Sequence, residues 1–99
     1  MGIYIICTCN QRGRFVKTAT TDETRADASA ARLVDWFASM GWNVEETQTI
    51  PDGEQLEPTG PGVPDVIQVY HLRNAAGEWL NVEIYRVEEL TANLSNNGK

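Results

Sequence analysis

An α+β fold is what the patterning predicts: a two-layer sandwich of one mainly antiparallel sheet packed against one long helix, in the order β-β-α-β-β-β, with a short C-terminal helix pattern after it. Three observations carry this. Strand-period alternation marks both ends of the 99-residue chain, a single helix-period stretch lies between them, and turn-forming residues join neighbouring strand runs into hairpins. With 41% apolar residues the chain can build one core and has too little length for two, so residues 1–99 are read as one domain.

The first hairpin is placed at 3–20. Ile3, Ile5, Cys7 and Cys9 alternate with Tyr4, Ile6, Thr8 and Asn10. At the strand period both thiols share a face with two isoleucines, and that face is expected to be core. "NQRG" supplies turn chemistry, and "RFVKTAT" is a β-branched and aromatic returning strand. The helix is placed at 21–40. Ala26, Ala30, Leu33, Phe37 and Met40 recur at spacings of four and three, with Val34 and Trp36 flanking them. Thr20 and Glu23 have capping-box spacing, Thr21 and Asp22 are alternative caps, and Gly41 is a left-handed stop. Small residues Ala26, Ser29 and Ala30 would let the first turns approach the sheet closely.

A third strand is read at 42–50, with Trp42 and Val44 on one side and Asn43 and Glu45 on the other. The stretch 51–65 holds four prolines and three glycines, which excludes regular structure and predicts an extended loop. "VIQVYHL" and "WLNVEIYRV" flank "RNAAGE" as a second hairpin at 66–87. In its second strand Leu80, Val82 and Ile84 face the core while Trp79, Asn81, Glu83 and Tyr85 face away. "VEELTANL" has a short helical pattern within the tail at 88–99.

Charge narrows the function. Eight basic against fourteen acidic residues give a net charge of -6, which disfavours direct binding to nucleic acid. Arg12, Arg14, Lys17, Arg25 and Arg32 all come early. From Leu33 to Leu72 there is no Lys or Arg, and seven carboxylates stand there: Asp35, Glu45, Glu46, Asp52, Glu54, Glu57 and Asp65. Such a run is ordinarily a solvated face; its sharper reading is a surface for a basic partner. The opening apolar run is too short to span a membrane and lacks signal-peptide flanks, and two cysteines fit a reducing cytoplasmic setting.

Candidate chemistry is sparse. Cys7 and Cys9 lack the two-residue gap of a redox pair, a disulfide between them would be strained, and a metal would find only His71 as a further soft or imidazole ligand. They read as packed or half-exposed thiols. His71 needs a partner to act as a base, and Glu83 or a thiol are the options. Adjacent Glu45 and Glu46 should face opposite ways along a strand. Aromatic residues remain: Trp36, Trp42, Trp79 and Tyr85 exceed what one helix need cover, and such side chains are enriched at protein interfaces.

The leading expectation is a small acidic cytoplasmic protein-binding module, an inhibitor or regulator that presents negative surface to a basic, nucleic-acid-binding kind of protein. In type it resembles products that phage and mobile elements encode, a resemblance carried by no motif. Its partner-binding residues are expected to be Glu45, Glu46, Asp52, Glu54, Glu57, Asp65, Trp79 and Tyr85, with no catalytic residue, metal or cofactor assigned. Two alternatives stand beside it: a small enzyme or ligand-binding domain using His71 and a cysteine, and a structural subunit that homodimerises through a strand edge.

Overall fold

A computed structural model describes residues 2–50 and 65–88. The elements run β1 (Gly2–Asn10), β2 (Gly13–Thr20), α1 (Glu23–Ser39), β3 (Asn43–Thr49), β4 (Asp65–Arg73) and β5 (Trp79–Glu88). The fold is α+β in the expected order. Strands associate as one five-stranded sheet in the order β2-β1-β5-β4-β3, every neighbour antiparallel. Two hairpins flank the central β1–β5 pairing, and β2 and β3 become the two edges. The expected loop at 51–65, apart from Asp65, and the closing helix within 88–99, apart from Glu88 at the end of β5, lie outside the described residues.

Local chemistry sets the element ends. Asp22 caps α1, its Oδ1 accepting from the backbone N–H of Thr24 at 2.9 Å and of Arg25 at 3.3 Å. Thr20 instead holds the approach to the cap, its hydroxyl accepting from the Asp22 N–H at 3.2 Å. After α1 the chain reverses through Gly41 at φ +97°, a conformation that costs glycine nothing. In the β4–β5 turn, Asn74 Oδ1 accepts from the N–H groups of Ala76 and Glu78, and Gly77 donates back to the Asn74 carbonyl.

α1 lies across one face of the sheet. Ala26 and Ala30 are fully buried there, against a core of Ile6, Val34, Leu72, Leu80, Val82 and Ile84. The helix stripe differs from the expected one at its C-terminal end: Leu33 and Phe37 are only half-buried, while Trp36 and Met40 are exposed. The alanines hold the first turns close to the sheet, and the last turn instead closes on itself through aromatic contacts. Phe37 meets Trp36 edge-on at 5.0 Å between ring centroids and Trp42 at 6.4 Å.

β1 corrects a second expectation. Its helix-facing side carries Tyr4, Ile6 and Thr8, whereas Ile3, Ile5, Cys7 and Cys9 face away, because Ile6 pairs with Ile84 and Cys7 with Glu83 across β5. The strand is central and apolar on both sides. Ile6, Cys7 and Thr8 are consecutive and all buried, so alternation identified two faces without saying which meets the helix.

Candidate docking face of the sheet

Opposite α1 the sheet presents Cys7, Cys9, Arg14, Val16, His71, Asn81, Glu83 and Tyr85, placed by register on four adjacent strands. Glu83 is the unusual member. It sits in "LNVEIY" between Val82 and Ile84 and is only 6% exposed. A buried carboxylate must be paired to be tolerated. Arg14 supplies the charge, its Nε donating to Glu83 Oε1 at 2.8 Å, and the Tyr85 hydroxyl donates to the same oxygen at 3.0 Å. The Arg14 guanidinium also lies over the Tyr85 ring, 5.4 Å from its centroid.

This triad sets the local electrostatics. Burial, reinforced by the Glu83 charge and its hydrogen bond, raises the Tyr85 hydroxyl well above its ordinary range. Burial and Glu83 likewise push the Cys7 thiol up, so it is held as a neutral thiol rather than an activated nucleophile. The hydrogen bond to Glu83 keeps Arg14 charged. Beside the triad, Ile5, Cys7, Arg14, Val16 and Tyr85 enclose a shallow, largely apolar depression of about 370 Å³. Val16 on its rim is 67% exposed.

His71 does not meet Glu83 or a thiol. Its Nδ1 lies 3.0 Å from Asn81 Oδ1, and Asn81 in turn stands opposite Cys9. His71 and Cys9 are therefore two strands apart with Asn81 between them, and no hydrogen bond joins the imidazole to the thiol. Among the described residues no three His, Cys, Asp or Glu side chains gather as a metal site would require.

Of the residues singled out by the sequence, Trp79 and Tyr85 lie on this face as expected. Glu45 and Glu46 join them, contrary to the expectation that they point opposite ways. The β3–β4 register jumps from Val44↔Leu72 to Glu46↔His71, leaving Glu45 as a bulged extra residue. Glu45 bonds Arg73 Nε at 3.1 Å while Glu46 stands opposite His71, and those two β4 residues share one face. Asp65 is half-buried beside Arg86, off the exposed acidic surface. Asp52, Glu54 and Glu57 lie outside the described residues. Sequence reasoning missed the Arg14–Glu83 pair; a lone Glu within an apolar strand was the signal that a cation must meet it.

Comparison with protein families, with curated proteins and with solved structures finds no match for this chain.

Proposed function

We propose that this chain is a small protein-binding module, an inhibitor or regulator, that engages a basic protein partner on the sheet face opposite α1. One observation carries the reading: the largely apolar Ile5–Val16–Tyr85 depression, on β2, β1 and β5, and the carboxylates Glu45 and Glu46, on the β3 edge, lie on the same face of the sheet. Its occupant is an extended basic segment with an apolar anchor, the anchor filling the depression and the cations meeting the β3 edge. Glu46 has no cation paired to it among the described residues, which leaves its charge available. An inhibitor or regulator acts by occupying its partner's surface, and this face needs no chemistry to do so. Two free cysteines support a reducing cytoplasmic setting, and no helix among the described residues is long and apolar enough to cross a membrane.

The test places a photo-reactive residue at Val16, at Glu46 or, on the helix side, at Asp35, and crosslinks in the cells that make the protein. The same basic protein captured from Val16 and Glu46 but not from Asp35 is the expected result. Its complex should weaken as salt rises and more so for Glu46→Lys, because exposed charge pairs are screened. Capture from Asp35 alone, or an affinity indifferent to salt, would remove the docking face as the site.

A further inference from the structure

A second cleft, of about 340 Å³, runs between the edge strand β2 and the flank of α1. Its helix wall is formed by Arg25, Ala28, Ser29 and Arg32, and its strand wall includes Thr18 and Thr20. Both threonines lie on the helix side of the sheet, since they stand opposite Ile6 and Tyr4. The cleft is thus separate from the docking face and does not depend on it.

Spacing makes the cleft convergent. Arg25, Ser29 and Arg32 share a helix face, the two arginines standing about 10.5 Å apart along the axis. Thr18 and Thr20 are two apart on β2 and so separated by about 6.8 Å. Two long guanidinium side chains can close on a ligand placed between them. Ala28 keeps the wall between them low.

These cations are uncompensated. Arg14 and Arg73 are each tied to a carboxylate, but among the described residues neither Arg25 nor Arg32 has an ion-pair partner. Among the same residues the Thr18 and Ser29 hydroxyls make no hydrogen bond, and the Thr20 hydroxyl accepts one and keeps its own proton to donate. Of the two carboxylates just before Arg25, Glu23 accepts from the Tyr4 hydroxyl at 3.3 Å and Asp22 accepts from the Thr24 and Arg25 N–H groups at the helix cap, and neither is ion-paired to Arg25. Every polar side chain lining the cleft is a cation or a hydroxyl able to donate. That set matches phosphate oxygens, which guanidinium groups bind through paired N–H donors. A long polyanion would meet the field of a chain carrying a net charge of -6, so the site suits a small ligand.

We infer that the cleft between α1 and β2 binds a small phosphate-bearing molecule, with Arg25 and Arg32 clamping its phosphate oxygens and the Thr18, Thr20 and Ser29 hydroxyls donating to them. Inorganic pyrophosphate is the probe, titrated calorimetrically into the whole chain and into Arg25→Gln, Arg32→Gln and Arg12→Gln, with circular dichroism confirming that each is folded. The expected result is saturable one-to-one binding that each cleft variant weakens by about tenfold or more, a loss of roughly 1.4 kcal/mol. Arg12→Gln, in the exposed β1–β2 turn, should leave affinity within about twofold. Absence of saturable binding overturns the inference, as does an equal loss in Arg12→Gln, which would reduce the effect to overall charge. A single-stranded oligonucleotide binding as tightly as pyrophosphate would overturn the small-ligand class.

Discussion

Glu83 concentrates the risk in this molecule at a single residue. Its carboxylate is buried, and the neighbouring Tyr85 hydroxyl and Cys7 thiol are both driven by burial, and by that charge, to hold their protons more tightly than in the unfolded chain. A group whose pKa is raised by folding lends stability that is complete below its unfolded value and is lost as pH rises toward the folded one. The ordinary values are 9.0 for the thiol and 10.0 for the hydroxyl, so the loss begins above them. Urea unfolding midpoints should therefore fall between about pH 8 and pH 11. Cys7→Ala combined with Tyr85→Phe should flatten that fall while lowering stability at pH 8 by about 1–2 kcal/mol for the lost hydrogen bond and thiol packing. An unchanged alkaline slope in the double variant would mean that other groups govern it.

At the scale of the element, α1 shows how small residues set a contact. Ala26 and Ala30 are fully buried, so a larger side chain at either must displace the helix from β1 and β5. Ala30→Leu is expected to destabilise by about 1–3 kcal/mol through overpacking, whereas Ala28→Leu, on the exposed flank, should stay within about 0.5 kcal/mol. Denaturant titration of the two variants checks the helix phase. Equal losses would mean that the buried stripe runs elsewhere. Phe37→Ala should cost less than the roughly 3–5 kcal/mol of a fully buried phenylalanine, because Phe37 is half-buried and its last turn leans on Trp36 and Trp42.

On the scale of the whole molecule, the separation of charge along the chain becomes a separation across the sheet. Lys17 stands on one edge strand and Glu45 on the other, and each is the extra residue of a β-bulge. A charged bulge is a device that spoils edge-to-edge pairing. Two copies meeting β2 to β2 would also oppose Lys17 and Arg12 to their own kind, and β3 to β3 would oppose Glu45 and Glu46. Removing Lys17 by deletion, which erases both bulge and charge, is expected to raise self-association, read by sedimentation velocity at two protein concentrations. A deletion variant that stays as monomeric as the parent would show that other features guard the β2 edge.

What the amino-acid sequence determined by itself was local. Alternation in "VIQVYHL" and "WLNVEIYRV", the capping run Thr20–Asp22 ahead of the helix, the turn at Asn74 and Gly77, and the stop at Gly41 fix each element through sterics and hydrogen bonds that reach only a few residues, although which of the three capping residues closes the helix was decided by the structure. Which strands would be edges, which side of β1 would meet α1, and that the β3 bulge would turn Glu45 and Glu46 to one face were settled only by assembly. Arg14 and Glu83 are 69 positions apart, yet they pair because β1 lies between β2 and β5 and brings both side chains to the same face. The physical reason is that strand pairing is chosen by the burial of the whole sheet, a quantity no short window of sequence contains.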